Sequence, residues 1–236
     1  MSDPSHRPLI RHVAAGTMDY RRCWELQQTL HARVVKDPTE AYVVTVEHPP
    51  VLTFGRHADK KFLLFGEKQL RAEGVDLVDT DRGGEVTAHV PGQLVVYPIL
   101  GIEAFRLTPR RYVQILEQTA ILVLADYGVT AARDPEHPGV WVGSDKICAI
   151  GVRIQQRVSL HGMALNVSNA FELFRRIVPC GIAGRGVTSL SKVIEKSVAV
   201  PDVLPKVLAA LAQELPGEDP RLILLETDPL RFAEIP

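Results

Sequence analysis

The stretch GVWVGSDKICAIGVRIQQRVSLHGMALN, residues 139–166, decides how the chain folds. It holds three β-rich runs, Val140–Val142, Ile147–Ile154 and Val158–Val167. Gly143-Ser144-Asp145 and Gln155-Gln156-Arg157 separate them as turns, so the segment reads as an antiparallel meander. Lys146 opens an otherwise apolar strand. Such a lysine either snorkels to the surface or points a desolvated ammonium into a site. Cys148 is two residues on, and period-2 geometry puts it on the same face as Lys146. Its apolar neighbours Ile147, Ala149 and Ile150 favour inert packing, yet the shared face keeps it a rival nucleophile. A lone histidine such as His161 is more often hydrogen-bonded structure than catalyst. Gly162 and Ala164 alternate as small residues, which opens one face to a ligand.

Outward from the meander, Thr108–Tyr127 reads as a helix with Thr108 as N-cap, Pro109 in the first turn and Gly128 past the end. Leu94–Ile99, Ala41–Val46 and Val51–Phe54 read as strands. Thr17–Val35 and Asp202–Leu215 read as helices with one apolar face each. No internal repeat or linker divides the chain. The expected fold is one α+β domain over residues 1–236, with 1–8 a flexible lead and 201–236 an accessory helix and tail.

The chain has 236 residues, 46% hydrophobic and 23% charged, enough for a sizeable core. It carries 27 Lys and Arg against 28 Asp and Glu, a net charge of −1. That balance gives no electrostatic case for nucleic acid or an anionic membrane. The cysteines Cys23, Cys148 and Cys180 are sparse and form no C-x-x-C, against a disulfide framework or a zinc site. With no apolar leader and no run long enough to span a bilayer, a cytoplasmic protein is expected. The Asn166-Val167-Ser168 sequon is then without meaning.

Two further segments carry chemistry. Residues 82–93, RGGEVTAHVPGQ, place adjacent glycines between Arg82 and His89, where main-chain amides can approach a ligand closely. An isolated Gly-Gly is more often a tight hairpin, and no P-loop pattern is present. In residues 177–182, IVPCGI, Cys180 stands between a proline and a glycine, a turn able to present its sulfur.

Five motifs taken together, HPPVLTFGR, RGGEVTAHVPGQLVVYP, GVWV…KICAIGVRI, HGMALNV and VPCGIAGRGVTSL, resemble the lipoyl(octanoyl) transferases. The resemblance runs from about Glu47 to Ser191. It implies the fold group of the biotin and lipoate protein ligases, a mixed β-sheet flanked by helices. It implies transfer of an octanoyl group from acyl carrier protein to a lysine of lipoyl domains, those of 2-oxo acid dehydrogenases and of the glycine cleavage H protein. It implies a monomer that needs no metal or other cofactor. Cys180 matches the family's acyl-accepting nucleophile, and Lys146 the lysine that lowers its pKa. Arg82, Gly83, Gly84, Glu85, Val86, Thr87, Ala88 and His89 match acyl-binding positions, as do Ala149, Ile150, Gly151, Gly162, Met163 and Ala164; His161 is a possible supporting residue. Ala88 stands where the family usually has an aromatic residue, and Val90 where it has glycine. Loss of an aromatic wall at Ala88 would widen the acyl site.

The chemistry suits these residues. A free thiol with a pKa of about 8.5 is only a few per cent ionised at neutral pH. An ammonium about 4 Å away adds roughly 4 kcal/mol of attraction at an effective dielectric near 20, before desolvation. Half of that leaves most of the thiol ionised. Two alternatives share the fold. An ATP-dependent lipoate or biotin ligase works through an acyl-adenylate and needs no cysteine, so Cys180 argues against it. A lipoyl-domain or carrier-protein binding module with a dead site would have no use for Cys180, Lys146 and His89 together.

Overall fold

The computed structural model describes residues 9–59, 63–177, 185–216 and 222–223. Its elements, in chain order, are β1 (Leu9–Thr17), α1 (Tyr20–Lys36), β2 (Glu40–Glu47), β3 (Val51–Phe54), α2 (Glu67–Ala72), β4 (Asp76–Asp79), β5 (Val86–His89) and β6 (Gln93–Ile99). There follow α3 (Pro109–Ala125), β7 (Ala132–Arg133), β8 (Gly139–Val142), β9 (Asp145–Gln155), β10 (Val158–Asn166), α4 (Leu190–Val193), α5 (Val200–Glu214) and β11 (Leu222–Ile223).

The meander is present: β8, β9 and β10 pair antiparallel in sequence order. It supplies three strands of an eight-stranded mixed sheet ordered β11-β1-β2-β6-β10-β9-β8-β7. A second sheet, β4-β3-β5, sits apart. Side chains alternate across the large sheet, and so does its packing. Leu94 and Val96 of β6 enter the main core with α3 and α5. Val95, Tyr97 and Ile99 enter a core under α1. The small sheet has its own core, which includes Leu52, Val86, Ala88 and Val90 with Leu173, Phe174 and Ile177.

The helices start where their caps allow. Thr108 accepts from the Arg111 amide at 3.2 Å, and Asp19 accepts from the amides of Arg21 and Arg22. Asp19 rather than Thr17 therefore opens α1. The stretch Leu9–Thr17, which lacks clean alternation, forms β1, parallel to β2. The helix expected over Asp202–Leu215 is α5, Val200–Glu214, and it packs on α3 with Val203, Val207 and Leu211 fully buried in the main core. The expected lead at 1–8 and the tail beyond Ile223 lie outside the described residues. No helix among the described residues is long and apolar enough to cross a membrane.

Candidate active site

A cleft of about 390 Å³ opens on the α1 side of the large sheet, within the range of small-ligand sites. Its floor is built of small residues in adjacent cross-strand pairs. Ala149 lies opposite Ala164, Gly151 opposite Gly162, and Ala164 opposite Val95 on its other side. Close approach requires the glycine of β10 and leaves little room beside that of β9. A Cβ on Gly162 would stand 2.1 Å from the Val96 carbonyl oxygen, and one on Gly151 would stand 3.0 Å from that of Gly83. The second contact shows what roofs the cleft: the Arg82–Glu85 loop, docked on β9 by the Gly83 amide donating to the Val152 carbonyl at 2.9 Å.

Arg82 holds that loop. Its Nε donates to the Thr53 hydroxyl at 3.0 Å, its Nη2 to the carbonyls of Thr53 and Glu85 at 2.6 Å each, and its Nη1 to the Gly83 carbonyl at 3.0 Å. The guanidinium is 7% exposed, so these bonds are what make a buried cation tolerable.

The lysine and the cysteine of β9 part company. Val140 pairs with Cys148, but the next residue, Trp141, pairs with Lys146. Ile147 is the extra residue of a β-bulge, and a bulge of one residue reverses which face follows. Lys146 consequently lines the cleft with Ala149 and Gly151. Ile147 and Cys148 both enter the main core. The expectation of a shared face thus fails at the bulge. Cys148 has no exposure, and burial pushes its thiol up to about 12 even against the charge of Lys146. A thiol in that state is no nucleophile at neutral pH.

Beyond the glycine row stands a buried cluster of rings. Tyr20 stacks on His89 with centroids 5.7 Å apart, and His48 meets both. His48 Nδ1 lies 2.7 Å from the Met18 carbonyl and Nε2 3.0 Å from the Tyr97 hydroxyl. A neutral ring donating to Met18 and accepting from Tyr97 satisfies both contacts. Burial, opposed by the Met18 hydrogen bond, lowers the His48 pKa to about 4. Burial, then the charges of His48 and Arg82, take His89 well below its ordinary value. His161, in a left-handed conformation at φ +58°, sits between Asp81 Oδ1 at 2.7 Å and the Tyr20 hydroxyl at 3.4 Å. Burial lowers its pKa despite Asp81. Burial would raise the Asp81 carboxyl, but the His161 hydrogen bond and the Arg153 guanidinium outweigh it and hold it down. His161 is therefore a neutral donor to an ionised Asp81.

A polar thread leaves His89. Its Nδ1 meets Gln93 Oε1 at 3.1 Å, Gln93 donates to Asn166 at 2.8 Å, and Asn166 donates to the Thr188 carbonyl at 2.9 Å. Asn166 is 3% exposed and fully engaged. Thr188 and Gly186 bracket Lys146, whose amide donates to Gly186 and whose carbonyl accepts from Thr188.

Of the expected site residues, Arg82, Gly83, Gly84, Glu85, Val86, Thr87 and His89 line the cleft. So do Lys146, Ala149, Ile150, Gly151, His161, Gly162, Met163 and Ala164. Ala88 is not brought there: it lies in the small-sheet core with Val90, one residue out of phase with Thr87 and His89. Widening of the cleft by Ala88 therefore has no structural basis. Cys180 falls outside the described residues. Tyr20, Tyr97, His57 and His137 also line the cleft without having been singled out. Tyr20 and Tyr97 looked like core residues of amphipathic elements, and only the Tyr hydroxyls hinted at more.

The architecture is that of the lipoate ligase fold. A solved lipoate-protein ligase A bound with ATP superposes with a TM-score of 0.76 at 12% identity, covering 96% of this chain and 92% of that one. A bipartite lipoate protein ligase of Thermoplasma acidophilum gives 0.75 at 12% identity, covering 96% and 91%. The model of the lipoyl protein ligase A/B catalytic domain matches residues 19–212. Among curated relatives, an octanoyltransferase of Alkaliphilus metalliredigens is 43% identical over 183 residues, 77% of this chain and 84% of its own. One of Chloroflexus aggregans is 42% identical over 199 residues, 83% and 90%. The chain belongs to the lipoyl protein ligase A/B family, within it to the octanoyltransferases, and is by that membership an acyltransferase.

Proposed function

We propose that this single-domain enzyme transfers an octanoyl group from acyl carrier protein to a lysine of a lipoyl domain, through a thioester on Cys180. The bulge at Ile147 carries the reading. It turns Lys146 into the cleft at one end of a floor made of Ala149, Gly151, Gly162 and Ala164. From Lys146 to the glycine row is about 15 Å of strand. An extended eight-carbon chain of ~1.5 Å bonds spans about 9 Å. A chain whose thioester carbon sits near the ammonium is thus short enough to lie wholly along this small-residue floor. At ~0.8 kcal/mol per methylene, its seven apolar carbons gain on the order of 5 kcal/mol.

In the first half-reaction the Cys180 thiolate attacks the donor thioester carbonyl. The tetrahedral oxyanion collapses, expels the carrier thiolate and leaves an acyl-enzyme. In the second, a neutral acceptor amine attacks that thioester, loses a proton and expels the Cys180 thiolate as the amide forms. The Lys146 ammonium stabilises the thiolate in both. The chain that follows Cys180 is bound to the strand of Lys146 through Gly186 and Thr188, which supports their pairing. Arg82 anchors the roof of the acyl slot, and His89, His161, Ala149, Ile150, Gly151, Met163 and the Gly83–Thr87 stretch enclose it. The partners are the octanoyl-carrier protein and lipoyl domains, including those of 2-oxo acid dehydrogenases and the glycine cleavage H protein, in the cytoplasm, with the enzyme a monomer.

The test is incubation with octanoyl-carrier protein in the absence of ATP, followed by mass spectrometry of the enzyme. An octanoyl adduct on the peptide holding Cys180, absent in Cys180→Ser, is the expected result. An adduct elsewhere, or transfer that occurs only with ATP, overturns the reading in favour of the ligase chemistry of the structural relatives.

A further inference from the structure

The surroundings of Lys146 are built around one ring. Trp141, directly across from Lys146 on β8, is 5% exposed. The Lys146 ammonium lies 4.6 Å from its centroid, and the Arg185 guanidinium carbon lies 4.2 Å from the same centroid. The indole Nε1 donates to the His137 carbonyl at 3.2 Å, and Lys146 Nζ donates to the next carbonyl, Pro138, at 3.2 Å. Both carbonyls belong to a loop organised by Asp134, whose carboxylate accepts from the amides of Glu136 and His137 at 2.9 and 3.0 Å. Arg185 closes the circuit with an ion pair to Asp134. The stem of Lys146 passes over Gly139, where a Cβ would stand 3.3 Å from its Cε and 2.7 Å from the Cys148 carbonyl oxygen.

We propose that Trp141 is the positioning residue for Lys146: its ring face, with the Pro138 carbonyl, fixes where the ammonium stands in the cleft, and Arg185 with Asp134 fixes the ring. An aromatic face attracts a cation without accepting its proton, and does so best where water is excluded. The ring thus sets the position of the ammonium while leaving it charged, which is what a lysine needs to hold a thiolate. Arg185 also lies only five positions after Cys180 in the chain. The same ring is therefore shared by the lysine and by the chain that leaves the segment carrying Cys180. The first cause of the low Asp134 pKa, about 2, is the Arg185 hydrogen bond. The anchor is thus ionised at any working pH.

This inference rests on the proposed role of Lys146, and the experiment separates the two. Single-turnover acylation by octanoyl-carrier protein is measured against pH for wild type, Trp141→Leu, Lys146→Gln and the double variant, with melting temperatures recorded for each. The expected result for Trp141→Leu is a loss of about two- to five-fold, the scale of one cation–π contact at a partly exposed site. The rate limb should also shift to higher pH, with KM for the donor unchanged. In the Lys146→Gln background the same substitution should cost nothing further, because a residue that acts only through Lys146 has nothing left to position. Trp141→Phe, which keeps a weaker ring, should recover most of the rate. It carries the same cycle if the leucine variant does not fold. Additive losses in the double variant, or an unchanged pH profile in Trp141→Leu, overturn the positioning role. A wild-type rate in Lys146→Gln alone overturns instead the chemistry proposed for Lys146.

Discussion

Thr53→Val removes a single acceptor from the buried Arg82 guanidinium and keeps the shape of the side chain. Thr53 is fully buried in β3, and its hydroxyl accepts from Arg82 Nε at 3.0 Å. The Thr53 carbonyl contact to Nη2 is made by the backbone and survives. A hydrogen bond to a charged group contributes about 1.5–3 kcal/mol, and stranding its buried donor adds a desolvation cost. For a chain of this size each kcal/mol moves the melting temperature by roughly 2–4 °C. A loss near 2 kcal/mol should therefore lower it by about 4–8 °C. Function should follow, since Arg82 ties Gly83 and Glu85 to β3. A looser roof raises KM for the acyl donor more than it lowers kcat. Calorimetry and steady-state kinetics on Thr53→Val, with Thr53→Ser as the variant that keeps the hydroxyl, measure both. If Thr53→Val melts within about 1 °C of wild type with an unchanged KM, the guanidinium does not depend on this bond.

Cys148→Ala should keep acyl transfer near the wild-type rate, and native Cys148 should resist alkylation at pH 8; loss of transfer would restore it as a candidate nucleophile. The neutral histidines predict acid lability. Folded His48 titrates at about 4 and an unfolded histidine near 6.5, so its stabilising effect is complete above 6.5 and is lost as pH falls toward 4. Denaturant unfolding of His48→Phe should show lower stability at pH 7 but a shallower fall through that window. Asp81 has the opposite sense: its depressed pKa gives stability that is present above the usual carboxylate value of 3.8 and lost as pH drops through the folded value. Asp81→Asn should therefore be less stable than wild type at pH 7, and the difference should narrow as pH is taken below 3.8 when both are followed by circular dichroism. Gly151→Val should shift donor preference toward shorter acyl chains, read as relative kcat/KM for octanoyl and butanoyl donors, because its side chain occupies the floor just under the Gly83 carbonyl.

Much of this architecture was legible because it is local. Helices α1 and α3 show their period and α3 its Thr108-Pro109 start, and the meander shows its turns. What escaped depended on partners far along the chain. Strand β1 lacks clean alternation and pairs in parallel with β2 across a whole helix. Strand β5 hides in a run of glycines and a proline, and finds its partner β3 more than thirty residues earlier. The site divides the same way. The glycine-rich loop and the small residues of β9 and β10 announce a place where a ligand can approach. Tyr20, His48 and Tyr97 come from α1, the β2–β3 connection and β6, and look, each alone, like filling for a core. The bulge at Ile147 carries no mark at all, for Ile147 is as apolar as the residues that follow it; only the register with β8 reveals it.

That bulge gives β9 a parity that a count of residues does not have. Substitution at Ile147 changes how well the main core is filled. Removing Ile147 takes out only the extra residue, so strict alternation returns with Lys146 and Ala149 still on the cleft face and Cys148 on the core face; removing Ile150, from the regular part of the strand, would instead reassign the side chains on one flank to the opposite chamber. Composition and hydropathy would hardly change. Outside the bulge the strand is therefore tolerant of what its residues are and intolerant of how many there are, and a deletion of Ile147 beside a deletion of Ile150, compared by melting temperature and acyl transfer, separates the two: the first should keep transfer and the second should lose it.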